Sequence, residues 1–403
     1  MKLFQQKRIY LDYAGATPVD PKVNDSLREG SAFFVNASAL YKEGVEAGKR
    51  LEQAKNSISK MLMCRSDEIV FTSGGTEGNN LAIMGVFKKV KLENPSFVPH
   101  FIFSTIEHSS VLECANHLKE VGGEVTLISP EENGIVQVSK IKEALKENTV
   151  LVSLQYVNNE IGTIQKLGEV AKIIRHFKKE KDRDLVHPSF PYFHTDACQA
   201  NLLPLSLSHL HVDLLTLDAG KVYGPKGVGL LFVRRDVHIS PILLGGGQEK
   251  GLRSGTEALP QIIAFEKALE ISEKRRKKDF KKTKRLQTLF WKLLKKNFGD
   301  TVINGSVEED ERVPFVCNFA LPGEDSEFLV FCLDSEGIAV SSASSCQNTK
   351  ENSYSYVVRE IHPGLESSSL RVSFGRETTG RHVKRFFKAL SMIKSRNNLK
   401  WNS

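Results

Sequence analysis

Apolar residues come in two rhythms along this chain. Short runs of four to eight apolar residues alternate with longer stretches whose apolar positions recur every three or four residues. The runs predict strands at Arg8 to Tyr13, Glu68 to Phe71, Phe101 to Thr105, Glu124 to Ile128 and Thr149 to Val157, then at Pro191 to Thr195, Val212 to Leu217 and Val228 to Val233. The helical rhythm predicts helices at Pro21 to Glu29, Gly44 to Met63, Asn80 to Val90, Val138 to Glu147, Leu167 to Lys179 and Leu259 to Asn297. Leu51, Ala54, Ile58 and Leu62 form one face of the second. Strands separated by helices predict an α/β fold with a mostly parallel sheet and helices on both faces. After residue 260 the pattern changes to a smaller α+β unit, with apolar runs at Val313 to Ala320, Glu327 to Asp334, Ala339 to Ser341 and Leu370 to Ser373. The expected division is a large domain over 14–260 and a small one over 1–13 and 261–403. The polar stretch Glu180 to Ser189 reads as a surface excursion.

In such sheets ligands sit beyond the carboxyl ends of the strands. Here those ends carry Gly75-Thr76, His108, Asn159, Asp196, Gln199 and Lys221. The turn Thr72-Ser-Gly-Gly-Thr-Glu-Gly-Asn-Asn80 places backbone N–H groups and the Thr76 hydroxyl where a helix begins, a setting that favours an anion. No Gly-Lys-Ser/Thr closes it, so it is not a nucleotide P-loop. Lys221 follows a buried strand, and partial burial turns an amine toward nucleophilic Schiff-base chemistry. Each residue also has an ordinary reading as a helix cap, turn residue or surface lysine. Their convergence at one edge is the sharper signal.

At 403 residues the chain is long enough for about two domains. The net charge of +8 is modest, and the basic run Lys274 to Arg285 sits in a helical pattern with one aromatic, Phe280. That reads as a solvated helix face and not as a nucleic-acid surface. No apolar run reaches the roughly 18 residues of a membrane helix, and Met1 to Tyr13 has no apolar signal core. The six cysteines, Cys64, Cys114, Cys198, Cys317, Cys332 and Cys346, are far apart with no Cys-x-x-Cys pair. Neither a zinc site nor a disulfide framework is suggested, and a cytoplasmic protein with reduced thiols is expected.

The motifs YLDYAGATPVD, FTSGGTEGNNLAI, EHSSVLE, VNNEIGTIQ, HTDACQA, GKVYGPKGVG, GGGQEKGLRSGT, SSASSC and RVSFGRETT occur in that order. On these the chain resembles, nearly end to end, the cysteine desulfurases of the class V aminotransferase family. The resemblance implies the fold type I of pyridoxal-phosphate-dependent transferases, pyridoxal 5'-phosphate as cofactor and L-cysteine as substrate. It also implies a homodimer, with an iron–sulfur scaffold or tRNA-thiolation protein as sulfur acceptor. Position by position it makes Lys221 the Schiff-base lysine, Asp196 the partner of the pyridine nitrogen and His108 the imidazole on the ring. Gln199 matches the donor to the ring oxygen. Gly75 and Thr76 match the phosphate cradle, and Thr256 a contact to the neighbouring subunit's phosphate. Asn159 and Arg376 match the holders of the substrate carboxylate, and Cys346 the thiol that takes the sulfur.

Cys346 lies in Ser341-Ser-Ala-Ser-Ser-Cys-Gln-Asn-Thr-Lys-Glu-Asn-Ser, a polar run suited to a mobile loop. One departure stands out. Where the family has Ser-Gly-His or Ser-Ala-His before the lysine, this chain has Asp218-Ala219-Gly220. Two phosphate donors are lost and an anion is added, so weakened cofactor binding is expected. A selenocysteine lyase, another class V enzyme, and a non-catalytic scaffold remain the alternatives at this level.

Overall fold

The computed structural model describes residues 8–180, 190–342 and 354–400, with side chains to residue 395. The expected excursion over 181–189 and the Cys346 stretch lie outside the described residues. In chain order the first half comprises β1 (Ile9–Tyr10), α1 (Pro21–Gly30), α2 (Lys42–Leu62), β2 (Ile69–Thr72), α3 (Gly75–Glu93), β3 (His100–Ser104), α4 (Ser109–Glu120), β4 (Glu124–Ile128), α5 (Val138–Ala144) and β5 (Thr149–Ser153). Then come α6 (Leu167–Glu180), β6 (Tyr192–Asp196), α7 (Leu207–Leu210), β7 (Leu214–Asp218), β8 (Gly229–Val233) and α8 (Leu259–Asn297). The last part holds β9 (Val302–Ile303), β10 (Val316–Ala320), α9 (Ser326–Ser335), β11 (Ile338–Ala339), β12 (Ser341–Ser342), α10 (Tyr356–Ile361), β13 (Ser369–Ser373) and α11 (Gly380–Lys400).

Seven strands form the main sheet in the order β2-β8-β7-β6-β5-β3-β4. All neighbours are parallel except β8, which is antiparallel to both β7 and β2. The cause is local. Only residues 219–228 join β7 to β8, with no crossover helix, so the chain turns straight back. That turn carries Lys221. The inner strands β3, β5, β6 and β8 are buried at every residue, as expected of a sheet covered on both faces. The outermost strand, β4, is half-exposed over most of its length.

A second, four-stranded sheet runs β12-β13-β10-β9, antiparallel throughout, over its own core around Phe290, Phe319, Phe374 and Phe386. The single helix α8 serves both cores. Ile262, Phe265 and Ala268 pack into the large one, and Leu286, Phe290 and Leu294 into the small one. The amino-terminal β1 pairs in parallel with β11, so the start of the chain joins the carboxyl-terminal unit.

Two details differ from the sequence reading. The helix expected from Asn80 begins at Gly75, because the glycine-rich turn forms its first turn. Cys332, expected in a strand-like run, lies on α9, whose amino terminus Asp325 caps by accepting from the Phe328 N–H. Among the described residues no helix is long and apolar enough to cross a membrane.

Candidate active site

A cavity of about 250 Å³ opens beyond the carboxyl ends of β2, β3, β5, β6 and β7. Its wall includes Gly75, Thr76, His108, Asn159, Asp196, Gln199 and Lys221, so seven of the residues singled out from sequence meet here. The side-chain atoms arrive by distinct routes. β6 ends in Asp196, a buried carboxylate that accepts from Asn79 Nδ2 at 2.7 Å and from the Cys198 N–H at 2.9 Å. These donors hold the carboxylate aimed into the cavity. Asn79 also donates to the Ser110 hydroxyl, tying α3 to α4 beneath the site.

His108 is the amino-terminal cap of α4. Its Nδ1 accepts the Ser110 N–H at 3.2 Å, which leaves the ring proton on Nε2. Burial lowers its pKa against the opposing pull of Asp196, so the ring is neutral. The adjacent Glu107 is fully buried and accepts from the Ser104 hydroxyl and the Gln155 N–H. Desolvation pushes its carboxyl up to about 8, so it is protonated at neutral pH and adds no charge beside Asp196.

Lys221 ends the short turn after β7. Its Nζ donates to the carbonyls of Ala14, at 3.0 Å, and Gly15, at 2.7 Å. Gln199 Nε2 donates to the same Ala14 carbonyl. The Ala14-Gly15 backbone therefore parks the amine at the cavity wall without a carboxylate partner among the described residues.

Arg376 is not part of this site. Its Nε binds Asp279 and its Nη1 binds Asp20, both at 3.0 Å, and its guanidinium stacks 3.8 Å from the Tyr223 ring centre. It locks α1, α8 and the end of β13 together beside a separate small cavity. The arginine at the site is Arg371, five residues earlier on β13. Arg371 donates to the Asn159 carbonyl at 3.0 Å and to Asp12 at 2.9 Å. Sequence reasoning missed it, along with Asp12, Asn79, Ser110 and Gln155, although all but Gln155 lie inside the motifs quoted above. Thr256 is exposed and does not line the cavity of its own chain.

Three buried polar atoms at this cavity have no hydrogen-bond partner among the described residues: Asn79 Oδ1, Asn159 Oδ1 and Arg371 Nε. Buried polar atoms are ordinarily satisfied, so the cavity is built for a polar occupant. The donor set fits pyridoxal phosphate at its ring: an amine for the aldehyde, a carboxylate for the pyridine nitrogen, and an imidazole with a neighbouring amide. Beside the Gly75-Thr76 turn the cavity differs, since Asp218 already accepts the Gly75 N–H.

Of the five described cysteines, Cys198 alone lines the cavity. Burial, with Asp196 and Asp218 nearby, raises its thiol well above the ordinary range. Burial likewise pushes Cys64, Cys114 and Cys317 up to about 12. None of these four supplies a thiolate readily. Cys346 lies outside the described residues. Its flanks are informative: Ser341 pairs across the sheet with Arg371, and after the gap the Tyr356 hydroxyl donates to the Glu107 carbonyl.

The fold and the cavity define a pyridoxal-phosphate-dependent transferase of fold type I. The family model for aminotransferase class-V matches residues 9–386, and the chain belongs to that family. It is 38% identical over 384 residues to the mitosomal cysteine desulfurase of Encephalitozoon cuniculi, covering 94% of this chain and 84% of that one. It is 35% identical over 378 residues to cysteine desulfurase IscS of Dictyoglomus turgidum, covering 93% and 91%. Among solved structures, a NifS-like protein from Rickettsia africae superposes with a TM-score of 0.82 at 28% identity, over 96% of this chain and 99% of that chain. SspA, solved in complex with cysteine, superposes with a TM-score of 0.76 at 31% identity, over 91% and 98%.

Proposed function

We propose that the protein is a pyridoxal-phosphate-dependent cysteine desulfurase, which takes sulfur from L-cysteine, leaves L-alanine and carries the sulfur as a persulfide on Cys346. The observation that carries this reading is one cavity lined by both Lys221 and an arginine, Arg371, whose Nε has no partner among the described residues. An α-amino acid presents a carboxylate and an α-proton, and these two groups answer them. When bound, the cofactor supplies an electron sink for the substrate's α-carbon. Lys221, Asp196, His108, Gln199 and the Gly75-Thr76 turn would hold it.

Arg371 would bind the substrate carboxylate, its fork already oriented by Asp12 and the Asn159 carbonyl. Asn159 acts here by orienting Arg371, its backbone carbonyl accepting from Nη1 at 3.0 Å. Lys221 Nζ is the base that takes the α-proton, and His108, neutral with its proton on Nε2, is placed for the later proton transfers. Cys346 as sulfur carrier rests on the resemblance of SSASSC to the family's sulfur-carrying loop, and burial makes Cys64, Cys114, Cys198 and Cys317 poor nucleophiles.

Cys346→Ser protein should keep its cofactor and its spectral response to L-cysteine, and lose persulfide and nearly all sulfide release. Mass spectrometry after incubation with L-cysteine checks this. Extra sulfur on another cysteine, or undiminished sulfide release, would sink the Cys346 assignment and favour a selenocysteine lyase or another class V activity.

The reading includes a two-fold dimer acting in the cytosol and delivering sulfur to an iron–sulfur scaffold or tRNA-thiolation protein. Thr256 supports the dimer, since it is exposed in its own subunit and by resemblance matches a contact to the neighbouring subunit's phosphate. Exposed apolar side chains support it too: Phe34 is 86% exposed, Leu40 95% and Leu244 76%. Sedimentation should give twice the chain mass at micromolar protein; a fully active monomer would contradict this.

A further inference from the structure

The phosphate end of the cavity holds an anion belonging to the protein. Asp218, the last residue of β7, points one oxygen, Oδ2, at the N–H of Gly75, the first residue of α3, 2.9 Å away. The other, Oδ1, accepts the Gly220 N–H at 2.7 Å. A carboxylate at the start of a 19-residue helix sits where the helix favours negative charge. Room there is tight. A Cβ on Gly74 would come within 3.0 Å of Asp218 Oδ2, and one on Gly75 within 2.9 Å of Cys198 Sγ. Gly74 also has φ near +153°, so two glycines bring the helix start close to the carboxylate.

Among the described residues no cation pairs with Asp218, whose two oxygens take the Gly75 and Gly220 N–H groups. The neighbouring Arg253 is held by Glu77 on the first turn of α3, with its Nε 2.8 Å from Oε1. Of the cations in the cavity wall, Lys221 is the group that binds the aldehyde, and Arg371 is held by Asp12 and the Asn159 carbonyl. A cofactor phosphate at the Gly75-Thr76 turn therefore competes with Asp218 for the Gly75 N–H and meets its charge at close range.

We infer that Asp218 is the residue that sets how strongly this protein distinguishes the phosphorylated cofactor from its phosphate-free form. By filling the Gly75 N–H with a carboxylate of its own, it makes the phosphate a small contributor to binding. Cofactor affinity then rests on the ring contacts of Lys221, Asp196, His108 and Gln199. The consequence is ready exchange of cofactor in a family site whose other end is complete. This inference rests on the pyridoxal-phosphate reading above.

The test uses apo-protein of the full chain, titrated separately with pyridoxal phosphate and with deoxypyridoxal, which keeps the aldehyde and ring but has no phosphate. Binding is followed by the absorbance of the Lys221 adduct, with no substrate present. Asp218→Asn keeps the shape and an acceptor for Gly75, so it guards against a folding failure of Asp218→Ser. In both variants the preference for pyridoxal phosphate over deoxypyridoxal should rise by at least about tenfold, while deoxypyridoxal affinity moves by less than about threefold. Inorganic phosphate, compared with chloride at equal ionic strength, should raise the apo Tm of both variants and leave the original protein unmoved.

An unchanged preference in both variants, or pyridoxal phosphate affinity that falls in both, would overturn the role of Asp218 and leave the cofactor reading intact. Absence of a Lys221 adduct with either compound in all three proteins would overturn the cofactor reading, and this inference with it.

Discussion

Arg376→Ala should unfold more easily by about 3 kcal/mol, because it leaves Asp20 without its guanidinium and Asp279 with Arg275 alone. Both ion pairs are largely shielded from solvent, and the same guanidinium covers the Tyr223 ring. Arg371→Ala also removes a shielded ion pair, with Asp12, but its distinguishing effect should be on substrate binding. The Arg371 Nε has no partner among the described residues and the side chain lines the cavity, so its loss should raise KM for L-cysteine by about 100-fold, the scale of a charge-assisted hydrogen bond pair at about 3 kcal/mol. Cofactor binding without substrate should be unchanged in Arg371→Ala. Urea unfolding and steady-state kinetics on the two variants separate the roles. A normal unfolding midpoint with a raised KM in Arg376→Ala would return the carboxylate to Arg376 and refute the assignment made from geometry.

Lys221→Ala should show no borohydride-stable cofactor adduct, and turnover should fall by roughly three orders of magnitude as the general base is lost. The fold should survive. Among the described residues Lys221 Nζ is bonded only to the carbonyls of Ala14 and Gly15, which line the cavity and can be rehydrated when the amine is removed. The check is a reduced and digested protein analysed by mass spectrometry, beside a turnover assay. An adduct that persists in Lys221→Ala would show that another amine holds the aldehyde.

Sequence alone determined the alternation of strands and helices, because each follows from a period of apolar residues that the chain must bury. β4 and α8 fall at the expected residues, Glu124–Ile128 and Leu259–Asn297, and the other elements of the large sheet lie close to theirs. It also determined the convergence of Lys221, Asp196, His108, Asn159, Gln199 and the Gly75 turn, since parallel strands must end on one edge. The choice between Arg371 and Arg376 was not legible. Both lie in RVSFGR, and a linear motif carries no record of which guanidinium meets Asp20 and Asp279 and which meets the cavity. Those carboxylates sit hundreds of residues or a whole helix away along the chain. Asp218 was legible as an intruding charge, but not as a partner of Gly75, 143 residues distant. That pairing exists because β8 lies between β2 and β7 and aligns their ends. Side-chain partners across such distances are fixed by packing, and only the tertiary structure decides them.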